Sequence, residues 1–265
     1  MIREAREEGR EVQFSMVYGI IGEKGSELPP GDPRRKYKGR AVLLGNKVFN
    51  QDYQEATFAE LGSAPTTLEG SRIVDAYGCV KGNASQTSDA IQAFCQAPML
   101  VEIWVTLQRE AVADPDFYYA VKNPVVRLLL ALYGHPDSPT YWELHCAEVV
   151  IAVGFKAFGA EWPSVFYHDE LKLVLSIYVD DFKLAGPTES LAKGWALLRT
   201  KIELEDPGPV SLYLGCQQQR IDVVCCKHTD GINAAQLTDV APDLVWSPGI
   251  TTDDLQFRIR CGSDH

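Results

Sequence analysis

The sequence contains no apolar run long enough to cross a bilayer. Its longest, VVRLLLALY (125–133) and LVLSIYV (173–179), fall well short of the ~20 residues a helical span needs. The opening, MIREAREEGREVQF, is charged and does not read as a secretory leader, so a chain without a membrane partner is expected. Ordered cysteine pairing is also missing. The seven Cys at 79, 95, 146, 216, 225, 226 and 261 are odd in number, irregular, and include no C-x-x-C. That argues against a disulfide framework and a zinc ribbon. Cys225-Cys226 with His228 comes nearest to a metal site but lacks the ligand spacing. This usage fits a reducing intracellular compartment, cytoplasmic or nuclear. Basic residues are the third shortage: 25 against 36 acidic, a formal net charge of -11. Phosphate binding rests on Lys and Arg, so strong unassisted affinity for nucleic acid is not expected. The stretch Arg34-Arg35-Lys36, with Lys38 and Arg40, is the local exception. Internal repeats and low-complexity tracts are absent too. With 46% hydrophobic and 23% charged residues the chain has ordinary globular composition.

The pattern along the chain mixes strands and helices without strict alternation. Residues 1–30 read as a charged segment followed by the loop ELPPGDP. Arg40–Leu44 reads as a strand closed by Gly45-Asn46, and 66–80 as a helix capped by Thr66 or Thr67. Residues 86–94 form a short strand turning into a helix, and 102–108 another strand. Residues 138–157 make the best helix, with Ser138 as cap, Pro139 in its first turn and Gly154 or Gly159 at its end. Segments 164–168 and 171–179 are apolar strands around a His168-Asp169-Glu170 turn. An amphipathic helix follows from 187 to about 203, then a strand at 210–218. Such mixing predicts an α+β fold with a largely antiparallel sheet.

Tyr178-Val179-Asp180-Asp181 ends an apolar strand. Adjacent carboxylates at a hairpin tip repel and desolvate poorly. Taken alone, the pair reads as a solvated turn. A divalent cation would remove the cost, and Mg²⁺ takes one or two carboxylates plus substrate phosphates. Asp89, in another short strand-like segment among small residues, is the candidate third carboxylate.

From 36 to 218 the chain resembles, in order, the reverse transcriptase of copia-type LTR retrotransposons. Lys38-Gly39-Arg40-Ala41-Val42 is similar to that family's Lys-x-Arg-Leu-Val strand. Asp52-Tyr53 with Ala56-Thr57-Phe58-Ala59 resembles its Asp-Tyr-x-x-Thr-Phe-Ala-Pro, and Asp89-Ala90-Ile91-Gln92-Ala93-Phe94 its Asp-Val-Lys-Thr-Ala-Phe. Leu132-Tyr133-Gly134 through Pro139 and Trp142 resembles Leu-Tyr-Gly-Leu-Lys-Gln-Ala-Pro-Arg-x-Trp. Tyr178-Val179-Asp180-Asp181 is identical to the family's catalytic box, and Leu204–Gly215 resembles its Met-Lys-Asp-Leu-Gly-x-x-x-Tyr-Phe-Leu-Gly.

The resemblance implies an RNA-directed DNA polymerase, a nucleotidyltransferase of a transposable element, built of fingers (about 36–84 and 95–140) and an antiparallel palm. It implies that Asp89, Asp180 and Asp181 are catalytic and hold two Mg²⁺, with Mn²⁺ as substitute, and that Asp180 bridges. Lys38 and Arg40 would meet the triphosphate; otherwise they form a solvated basic strand. Phe94 would lie under the incoming sugar and exclude a 2′-hydroxyl; otherwise it is a core aromatic. Tyr133, Gly134 and Tyr178 would line the template–dNTP pocket, and Tyr213-Leu214-Gly215 would grip the primer end. The implied partners are an RNA or DNA template-primer, dNTPs, and the rest of a Gag-Pol-type polyprotein.

The departures remove charge or hydrogen-bonding groups: Leu43-Leu44-Gly45-Asn46 for Val-Ala-Arg-Gly, Ile91-Gln92 for Lys-Thr, Asp137 for Gln and Thr140 for Arg. The expected organisation is an N-terminal charged segment and loop (1–35), fingers and palm (36–218), and a divergent, poorly structured segment (219–265) with the thumb missing or divergent. Two functions compete: an active polymerase module, and a catalytically inactive remnant or palm scaffold that binds a partner. A generic acidic Ca²⁺-binding or structural protein would explain the Asp pair but not the ordered matches.

Overall fold

The computed structural model describes residues 2–58, 65–109, 116, 120, 124–213 and 216–218. Residues 219–265, with Cys225, Cys226 and His228, lie outside the described residues, as does Ala59. The fold is mixed α/β. A first sheet is built from β1 (Gln13–Lys24), β2 (Lys36–Leu43), β3 (Phe49–Asn50), β5 (Ile103–Thr106) and β6 (Val125–Arg127), after a short α1 (Ile2–Glu8). Its order is β2-β1-β5-β6, with β3 also on β1, and only β1–β5 is parallel.

The 12-residue β1 corrects the reading of residues 1–30 as a charged segment and loop. Phe14, Val17, Tyr18, Ile20 and Ile21 supply β-branched and aromatic residues. Charged flanks and exposed outer positions masked that signal.

The second sheet has six strands: β4 (Asn83–Asp89), β7 (Lys156–Ala157), β8 (Val165–His168), β9 (Leu173–Tyr178), β10 (Asp181–Pro187) and β11 (Gly208–Pro209). They run in the order β11-β4-β10-β9-β8-β7, and every pairing is antiparallel. Period-two alternation gives it two different faces. Leu173, Leu175 and Ile177 of β9, with Phe182 and Leu184 of β10, pack on α3 (Ser138–Ala152) and α4 (Thr188–Arg199) through Trp142, Cys146, Val150, Leu191, Trp195 and Leu198. The opposite face meets α2 (Leu68–Cys79). There a Cβ on Gly78 would stand 1.8 Å from Ser85 Oγ, so a larger residue would force Ser85 to move.

Thr67 caps α2, accepting from Gly70 N–H at 3.1 Å, as expected. At α3 the expectation fails by one residue. Asp137 is the N-cap, and the Ser138 hydroxyl donates instead to Leu132 O at 2.8 Å. The 210–218 strand is instead two short strands, β12 (Leu212–Tyr213) and β13 (Cys216–Gln217), paired antiparallel. Within 36–84, β2 and β3 sit in the first sheet, whereas α2 packs on the second.

A tight crossing ties Tyr133-Gly134 to the end of β2. Leu43 N–H donates to Tyr133 O at 2.7 Å. Gly134 adopts φ +92°, and a Cβ there would lie 2.2 Å from Leu43 O. Gly134→Ala therefore combines left-handed backbone with a backbone clash. It should cost at least about 2 kcal/mol in denaturant unfolding; an unchanged midpoint would contradict this crossing.

Candidate active site

The β9–β10 hairpin places the acidic pair. Tyr178 pairs with Asp181, leaving Val179 and Asp180 as the turn. Val179 has φ +55°, a strained value for a β-branched residue. Both turn carbonyls are held from outside. Trp142 of α3 donates its indole N–H to Val179 O at 2.6 Å, and Ala90 N–H donates to Asp180 O at 2.7 Å. Such over-determination is what lets a strained turn persist.

β4 then brings in the distant carboxylate: Asp89 is the direct cross-strand partner of Asp181, on the same face. Like charges directly opposite are destabilising. The Asp181 carboxyl is accordingly pushed up to about 6, first by burial, then by the Asp180 and Asp89 charges and a hydrogen bond with Asp89.

Asp89 and Asp180 line one cleft of about 440 Å³, and Lys38 and Arg40 line the same cleft. The β1–β2 register sets Arg40 opposite Ile20, Lys38 opposite Gly22 and Lys36 opposite Lys24, so the four cations share one face of the ribbon. The cleft thus brings carboxylates and cations together, although the chain as a whole is acidic. Arg40 stands 5.9 Å from the Tyr133 ring, which also lines the cleft. Burial pushes the Tyr133 phenol up, with smaller contributions from Cys95 and Asp180. Phe94 is half-buried behind it, ring centroids 4.9 Å apart.

Other expected residues lie elsewhere. Gly134 packs on the Leu43–Gly45 backbone, and Tyr178 flanks the Asp turn. Tyr213 is buried on the α2 side of the sheet, its ring 3.9 Å from Lys183 Nζ and its hydroxyl 3.3 Å from Ser176 Oγ. Leu214 and Gly215 lie outside the described residues.

Two features escaped the sequence reading. Glu205 joins the cleft, held by its N–H donating to Asp89 O at 2.9 Å and by Arg199 on its own carbonyl. Lys183, two positions beyond Asp181, is completely buried, donating to Asp75 Oδ1 at 2.7 Å and Ser71 Oγ at 2.9 Å. A lone Lys within the apolar FKLAG was its only sequence signal.

Among the described residues no three carboxylate, imidazole or thiol groups stand together as a metal-holding set. The arrangement is a cross-strand carboxylate pair with a third carboxylate on the adjoining turn. No described helix is long and apolar enough to cross a membrane. A search of curated proteins returned no match. The family model described as reverse transcriptase (RNA-dependent DNA polymerase) matches residues 31–241, most of the chain. The chain belongs to the copia-type reverse transcriptase family.

Proposed function

We propose that this chain is the fingers and palm of a reverse transcriptase module, extending a primer 3′-hydroxyl with dNTPs on an RNA or DNA template. The observation that carries the reading is the cleft and its edge: Asp89 opposite Asp181, Asp180 on the turn beside them, and Lys38 and Arg40 lining the same cleft as Asp89 and Asp180. In this reading the six-stranded sheet is the palm. The β1–β2 ribbon, including residues before 36, belongs to the fingers.

The carboxylates are the hard oxygen donors that divalent cations such as Mg²⁺ take. Burial, then the Asp180 and Asp89 charges, holds the Asp181 carboxyl protonated more readily than an ordinary one, a cost a divalent cation would offset. Mg²⁺ completes its shell with substrate phosphates, so a pair plus one carboxylate suffices. Asp89, Asp180 and Asp181 would hold two Mg²⁺, or Mn²⁺ in their place. When bound, these ions activate the 3′-hydroxyl and neutralise the triphosphate and departing pyrophosphate. Lys38 and Arg40 attract and orient the triphosphate in the same cleft. Tyr133, braced by Phe94 and Arg40, gives the base and sugar a flat apolar floor.

Phe94 sets the sugar specificity in this reading. Phe94→Ala should raise ribonucleotide incorporation relative to dNTP by about ten-fold or more, the scale of a lost steric contact. Unchanged discrimination would remove Phe94 from the pocket.

The net charge of -11 favours a second reading, a non-enzymatic scaffold that binds a partner. Primer extension on poly(rA)/oligo(dT) with dTTP and Mg²⁺ or Mn²⁺ separates the two. Extension supports the polymerase; a folded chain with none supports the scaffold.

A further inference from the structure

A lysine buried in an apolar sheet face is costly, because desolvating the ammonium takes several kcal/mol unless its donors are satisfied. Lys183 satisfies them with groups from two separate elements. Ser71 and Asp75 come from α2, and the face of Tyr213 comes from β12. The partners are tied in turn. Asp75 Oδ2 accepts from Gln218 Nε2 at 3.1 Å, and Tyr213 meets Ser176 of β9. The cation therefore joins the strand that begins at Asp181, the helix behind the sheet, and the chain leaving β11. The register of β10 fixes the spacing. Asp181 faces Asp89, and Lys183, next on the same face, faces Thr87 and Ser176.

We propose that Lys183 is a positioning residue, a buried clamp that fixes β12 and the chain around Gln218 against the sheet one step from the Asp89–Asp181 pair. Tyr213 is the clamp's jaw: its ring is spent on Lys183 and is not free to touch a primer. Primer contact then falls to the backbone that this anchored ring holds in place. The anchoring stands by itself; its consequence for the primer rests on the polymerase reading above.

The test uses the full chain and Lys183→Met/Asp75→Asn, which removes both charges while keeping both shapes. Amide hydrogen exchange should quicken about ten-fold in 208–213 and 216–218, as local anchoring is lost, while β9 and β10 keep parental protection. Parental exchange in those segments would overturn the clamp. Should the double variant not fold, Tyr213→Leu removes the ring without touching the buried pair. It should quicken the same amides, and parental exchange there overturns the clamp equally. In primer extension, the double variant should raise the KM for primer–template about ten-fold and leave the KM for dNTP in place, because only the anchored segment moves. A rise in both, or in neither, contradicts the positioning role. A parent that extends no primer refutes the polymerase reading alone, because the exchange arm needs no activity.

Discussion

Lys183→Met should destabilise the fold by about 3–5 kcal/mol, the loss seen when one partner of a buried ion pair is removed. The methionine fills the space, so the loss does not come from a cavity. It comes from Asp75, nearly as buried, left facing Ser71 and Gln218 with no cation. Burial already pushes the Asp75 carboxyl up, and this outweighs the opposing pull of Lys183. Without the lysine the carboxyl rises further. A carboxyl raised in the folded state binds its proton more tightly there than in the unfolded chain, so stability grows as pH falls through the folded value. The deficit of Lys183→Met should therefore be largest at neutral and alkaline pH and shrink on acidification. Lys183→Met/Asp75→Asn should recover most of the loss at pH 7, because it leaves no buried charge uncompensated. Urea unfolding of the parent and both variants at pH 5 and pH 7 measures all of this. Equal deficits in the single and double variants would show that packing, not charge, holds the site.

The distribution of what could be read in advance has a physical basis. β9 and α2 were legible because local pattern and tertiary role agree: an apolar, β-branched run meets a core, and Thr67 meets an unpaired N–H. β1 was not legible because much of it forms one strand of a solvent-exposed ribbon, where burial imposes no alternation. The shift from Ser138 to Asp137 at α3 is a matter of one residue, decided by where the Ser138 hydroxyl finds a carbonyl. In the site, Asp180 and Asp181 announce themselves by adjacency. Asp89 stood out only as a carboxylate in a short strand-like segment, since only the β4–β10 register brings it opposite Asp181. The basic face of the ribbon depends on the β1–β2 pairing, which the sequence reading lacked. Asp75 and Lys183 were invisible for the same kind of reason. They lie 108 positions apart, and each looks ordinary in its own segment.

Asp180→Asn/Asp181→Asn should lower primer extension by about a thousand-fold or more, the order lost when groups that stabilise transition-state charge are removed. An amide keeps the size of the carboxylate, accepts one hydrogen bond and carries no charge, so the turn has no steric reason to change. Its backbone anchors, Trp142 on Val179 O and Ala90 on Asp180 O, use main-chain carbonyls that both substitutions leave in place. The electrostatics run in favour of the variant when metal is absent. Asp181, pushed up to about 6, is ionised at pH 7 against the Asp180 and Asp89 charges. Removing two of the three charges should raise the melting temperature in chelator by a few degrees, allowing for the solvent screening of a half-exposed group. Millimolar Mg²⁺ should then raise the melting temperature of the parent and leave that of the variant where it was, because ligand binding stabilises only the form that binds. Lost extension with a raised or unchanged melting temperature assigns the carboxylates to chemistry. A fall of ten degrees or so would assign them to structure, and the cleft would lose its claim to be an active site.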